Sequence, residues 1–259
     1  SQTPENEALS IELDKFNAEF LELFSVHKDM VDNEPVLYSL YLNKLGFLTF
    51  RLFEKKTEYS KVKMKMELIQ AALNRDEKPD LAKIEKSLNA QLADYYKQIA
   101  ENADDLEKAK SVLQNLLPPE FVKELKELFH TLCKRLHPDL HPNQTEEDKD
   151  LFLKVKAAYD LNNLIELKKI FLHLDSNKEE TVSLLTSDEK QKRIEYLRNS
   201  IHSLKEKIQK LSDSFPHNLK ELISDDEKIA VEQDTIKNQI RFYEKEIKNY
   251  EAFIELMVS

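Results

Sequence analysis

Apolar residues recur three and four apart along nearly the whole chain, a period that gathers them on one helix face and not on alternate faces of a strand. Leu13, Phe16, Phe20 and Phe24 form the first such stripe and predict a short opening helix. Asn33 as a cap and Pro35 just inside the first turn predict the start of a second, long helix. Its apolar positions run from Val36 through Leu68, Ile69 and Ala72 to a break at Asn74-Arg75-Asp76. After Pro79, Asp80 starts a third, with a stripe reading Leu81, Ile84, Leu88, Leu92, Tyr95, Ile99, Leu106, Ala109, Leu113 and Leu116. These elements predict an N-terminal bundle of long helices over residues 1–109.

Pro118-Pro119 ends that stripe and opens the next helix, because the first proline breaks the hydrogen-bond ladder while the second suits a first helical position. The following helix runs to Leu136, where Pro138 forces an exit, and Thr145 with Asp148 signals the next start. That helix extends from about Glu146 to Leu161, and Asn162-Asn163 separates it from a short one marked by Leu164, Leu167, Ile170, Phe171 and Leu174. A middle unit over 110–174 and a polar linker over 175–186 are the expectation. Two heptad seams follow: Ile194, Leu197, Ile201, Leu204, Ile208 and Leu211, then Ile236, Ile240, Tyr243, Ile247, Tyr250, Ile254 and Met257. With Pro216 in the turn between them, they predict an antiparallel coiled-coil hairpin over 187–259, projecting roughly 40 Å at a helical rise of about 1.5 Å per residue. Heptads also allow self-association into a homo-oligomer.

Composition agrees with an all-α fold. One glycine, Gly46, and eight prolines stand among 259 residues, too few glycines for tight hairpins, phosphate-cradling loops or dinucleotide turns. The single cysteine, Cys133, excludes an intrachain disulfide and a multi-cysteine zinc site. A net charge of −10 argues against nucleic acid or anionic lipid as partners. The most apolar stretch, Leu37 to Phe53, is interrupted by Asn43, Lys44 and Arg51 and is too short to span a bilayer. No cofactor, no metal, no membrane association and a cytoplasmic location are expected.

One segment departs from this background. On a helix from Glu120 to His137, Phe121, Leu128, Phe129, Leu132 and Leu136 gather about Leu125 on one face. Within about 80° of each other on another face lie Lys123, Lys126, His130, Lys134 and the projected position of His137. No acid falls inside that stripe, so an acidic protein has set aside a basic ridge. At its end His137-Pro138-Asp139 predicts an exposed, proline-stopped turn that presents a carboxylate beside donors.

These residues resemble the J-domain family, whose signature is the same tripeptide between two antiparallel helices. Phe129, Leu132, Cys133 and Leu136 stand where the family has an aromatic, a leucine, a small and an apolar residue. Phe152, Val155, Ala158 and Tyr159 meet its later Phe, Ile, Ala and Tyr pattern, and Leu113, Leu116 and Leu125 can supply earlier apolar positions. The likeness covers roughly 110–174. Leu140 stands where the family often has a basic residue, and no Gly/Phe-rich linker, zinc module or β-rich client domain follows.

The resemblance implies a co-chaperone and not an enzyme. It would dock on a DnaK-type (heat shock protein 70) chaperone through Lys126, His130, Lys134, Arg135, His137, Pro138 and Asp139 and stimulate ATP hydrolysis, while the flanking arms recruit an unidentified client protein. Two other readings of the residues stand beside it. Cys133, His137 and His141 at i, i+4 and i+8 would form a metal face only on a continuous helix, which Pro138 breaks. A coiled-coil structural adaptor with a J-like segment uncoupled from any chaperone is the alternative.

Overall fold

The computed structural model describes residues 3–175 and 184–259, which are almost entirely helical, with no strand among them. Its helices are α1 (Pro4–Tyr41), α2 (Phe47–Asn74), α3 (Leu81–Gln91), α4 (Ala93–Gln114), α5 (Pro119–Leu136), α6 (Glu146–Asp160), α7 (Leu164–Asp175), α8 (Ser187–Asp213), α9 (Lys220–Ser224) and α10 (Asp226–Val258). They divide into two compact units, residues 1–33 with 116–217, and residues 34–115 with 218–259. The linker expected over 175–186 falls largely outside the described residues.

Several boundaries follow from local chemistry. Thr145 caps α6 by accepting from the Asp148 amide at 3.2 Å, Asp80 caps α3 through Lys83 at 3.1 Å, and Thr186 caps α8 through Glu189 at 3.2 Å. Asn162 ends α6 in the left-handed region at φ 55°, a conformation asparagine tolerates better than most residues. The boundary expected at Asn33-Pro35 is absent, because α1 runs continuously through Pro35 to Tyr41. The break lies later, in a π turn over Leu42–Gly46. A Cβ at Gly46 would lie 2.5 Å from Leu42 Cδ2, so a larger residue there requires the buried Leu42 side chain to shift. The third expected helix is also divided, at Leu92 between α3 and α4.

In the second unit α2 and α10 run side by side in the same direction. Leu48 and Leu52 pack with Ile240, and further along Val62 and Ile69 pack with Ile247 and Ile254. The Tyr59 ring meets Tyr243 and Tyr250 at 5.3 and 5.8 Å. Lys44 Nζ donates to the Ile223 carbonyl, and Gln233 donates to the Lys44 carbonyl, both at 2.8 Å.

In the first unit, α5 and α6 are antiparallel: Phe129 stacks on Tyr159 at 4.0 Å, and His137 at the far end of α5 meets Phe152 at 4.9 Å near the start of α6. α7 packs against both. The N-terminal part of α1 and Ile194 to Leu204 of α8 complete the core, in which Leu13, Phe20 and Leu21 are buried with Leu125, Leu132, Val155, Leu167, Leu197 and Ile201. α1 and α8 are parallel, as shown by Glu12 with Arg198 (3.8 Å) and Glu19 with Lys205 (3.1 Å).

The hairpin expected over 187–259 is therefore corrected. The α8 seam is buried in the first unit beside α1, and the α10 seam is buried in the second beside α2. Heptad spacing specifies a face that must be covered but does not say which helix covers it.

Candidate functional site

The turn after α5 is built from its own backbone outward. The His137 amide still donates to Cys133 at 2.9 Å, and the Leu140 and His141 amides both donate to the His137 carbonyl at 3.0 Å. Pro138 has no amide to donate, so the helix cannot continue through it. His141 Nε2 donates to the Lys134 carbonyl at 2.7 Å and Gln144 Nε2 to the Leu136 carbonyl at 2.8 Å, so two carbonyls orphaned at the helix end are satisfied by the loop itself. The Asp139 amide donates to His137 Nδ1 at 3.0 Å, which fixes the tautomer with its proton on Nε2.

Sequence reasoning expected an exposed turn, and this is corrected for the histidine. His137 is only 7% exposed. Its ring sits among Phe20 (5.0 Å, 73°), Phe24 (4.5 Å, 78°) and Phe152 (4.9 Å, 60°), mostly edge-to-face geometry that suits a neutral imidazole among aromatic faces. Burial in this box pushes its pKa down to about 4, and Lys156 and His141 act the same way against the opposing pull of Asp139. Pro138 and Asp139 are half-buried. Asp139 Oδ1 accepts a hydrogen bond from the Tyr196 hydroxyl of α8 at 2.6 Å, and that bond is the leading cause of a raised Tyr196 pKa.

The ridge residues divide. Lys126 and His130 share a stripe one helical turn apart, and α1 lies beside both: Lys126 faces Asp29 at 3.6 Å, and His130 Nδ1 is hydrogen-bonded to Ser25 Oγ at 3.0 Å. The lining of a groove of about 380 Å³ includes Ser25, Lys28, Asp29, Lys126, His130 and Tyr159. Lys134 is exposed. Arg135 points elsewhere and donates to the Leu174 carbonyl at 2.8 Å, tying the end of α5 to the end of α7.

Phe20, Phe24, Ser25, Asp29 and Tyr196 all touch these residues, and sequence reasoning assigned none of them to the site. Phe20 and Phe24 were legible as a helix stripe but not as the walls of a box around a histidine more than a hundred positions away. Cys133 is completely buried and its thiol pKa is pushed up to about 12 by that burial. No cluster of three or more His, Cys, Asp or Glu side chains able to hold a metal ion occurs among the described residues. None of the helices among the described residues is long and apolar enough to cross a membrane. No family model matches the chain, and neither a curated protein nor a solved structure matches it.

Proposed function

We propose that the first unit acts as a J-domain-like co-chaperone module that docks on a DnaK-type chaperone and stimulates its ATP hydrolysis. The observation that carries this reading is the coincidence of three features on one antiparallel helix pair. A proline-stopped turn carries His137-Pro138-Asp139, Lys126, His130 and Lys134 follow one stripe of α5 toward it, and an aromatic and aliphatic core lies behind them. A rigid turn at the end of a basic helix offers a partner both an acceptor carboxylate and donors at fixed spacing, which favours specific recognition over general attraction. Arg135 holds the scaffold in this reading, since its guanidinium is engaged with α7.

Single-turnover ATP hydrolysis by a panel of DnaK-type chaperones tests the proposal. The wild-type chain at high concentration accelerates hydrolysis, and Asp139→Asn abolishes the acceleration while leaving the helical circular dichroism unchanged. Absence of acceleration across the panel sinks it. A second reading, a helical adaptor whose tripeptide only packs, is favoured by two observations: His137 is buried, and Asp139 is bonded to α8. The same assay separates the two.

A further inference from the structure

We infer that the N-terminal part of α1, together with α8, is an autoinhibitory cover over the docking residues, and that a chaperone must displace it to engage them. The inference rests on the function proposed above. Every ridge and turn residue whose side chain that function needs, save exposed Lys134 and half-buried Pro138, is already held by one of these two helices. Phe20 and Phe24 enclose the His137 ring, Ser25 bonds His130, Asp29 faces Lys126, and Tyr196 bonds Asp139. The contacts match in chemistry as well as in place: acid against the lysine, hydroxyl against the imidazole, and a phenol donor against the carboxylate. A partner recognising the same side chains competes for the same donors and acceptors.

The two covering helices are also tied to each other independently of the site. The Lys190 ammonium on α8 is fully buried and donates to the Asn6 carbonyl (3.2 Å), Asn6 Oδ1 (2.6 Å) and Ser10 Oγ (2.5 Å) of α1. Arg198 reaches Glu12 and lies 5.6 Å above the Phe16 ring, and Lys205 reaches Glu19. Parallel helices clasped in this way can move as one piece. The direct polar bonds from the cover to the ridge are few and partly exposed, so each is individually weak, whereas α1 and α8 also share the apolar core of the first unit, and displacement has to open that packing as well. A chaperone that binds only the uncovered form has its apparent affinity reduced by the fraction of molecules uncovered.

Ser25→Ala/Asp29→Ala/Tyr196→Phe in the full chain removes the polar contacts and leaves the docking residues intact. Two results are expected: faster amide exchange across residues 17–32, and about tenfold less chain needed for half-maximal stimulation of a DnaK-type chaperone, with the maximal rate unchanged. Faster exchange with an unchanged half-saturation point overturns the cover and leaves the proposed function standing. Unchanged exchange also overturns it, because the contacts then hold nothing in place. Faster exchange with no stimulation by variant or wild type overturns the proposed function, and the cover with it. Should the triple variant fail to fold, Tyr196→Phe alone removes one hydroxyl and shifts half-saturation in the same direction by a smaller factor, and no shift overturns the cover.

Discussion

The Tyr196 hydroxyl donates to Asp139 Oδ1 at 2.6 Å, joining α8 to the turn after α5 across 57 positions of sequence. A phenol donating to a carboxylate is held in its neutral form, so its pKa rises, and the hydrogen bond to Asp139 is the main cause here. Asp139→Asn removes the charge and most of that effect. The Tyr196 titration midpoint, followed by the ring-carbon resonance in NMR, is expected to fall in this variant. An unmoved midpoint would show that the bond does not persist in solution.

His137 makes stability in the first unit depend on pH. Its folded-state pKa of about 4 lies below the ordinary value of 6.5, so unfolding takes up a proton between those two values and stability rises with pH across that window. The contribution is complete above pH 6.5 and is lost as the pH falls toward 4. The full span is on the order of 3 kcal/mol. The difference in urea stability between wild type and His137→Gln is expected to narrow steadily over that window. A constant difference from pH 7 to pH 4 would mean the imidazole is not buried in its neutral form.

The helices were legible because their determinants are local. Pro119, Thr145 and Asp80 act within a few residues of themselves and each stands at the start of a helix, while the apolar stripes lie on helices whose faces are buried in part. Pro35 misled because proline at a first turn and proline inside a helix look alike in sequence, and α1 runs on through it to Tyr41. The tripeptide was legible as a turn. Its surroundings were not, since Phe24 against His137 and Tyr196 against Asp139 are long-range choices among many apolar and aromatic faces. The seams of α8 and α10 show the same limit, having been visible as faces without visible partners.

Lys190 allows a test of how the clasp between α1 and α8 works. A buried ammonium left short of acceptors costs more than the loss of the whole interaction, because its desolvation is no longer offset. Asn6→Ala removes the 2.6 Å acceptor and leaves the charge in place, so it is expected to destabilise the first unit by about 2 kcal/mol. Lys190→Met removes the charge and keeps the aliphatic stem, and is expected to cost less. Chemical denaturation of the two variants decides the matter, and equal or reversed costs would mean the ammonium reaches water.

Leu197 tests which unit α8 belongs to. It is 1% exposed and sits in the core shared by Leu13, Phe20, Leu125 and Leu132. Leu197→Ala removes a buried branched side chain and is expected to destabilise that core by about 2–4 kcal/mol, through lost transfer energy and an unfilled cavity. Amide exchange is expected to quicken in residues 9–24, in α5 and in α8, while α2 and α10, whose seams close on Val62, Ile69, Ile247 and Ile254, keep wild-type rates. Ile247→Ala should give the complementary pattern, quickening α2 and α10 first. If Leu197→Ala instead loosened α10 as strongly as α1, the α8 seam would be serving the antiparallel hairpin expected from its spacing, and the cover over His137 and Asp139 would lose its support.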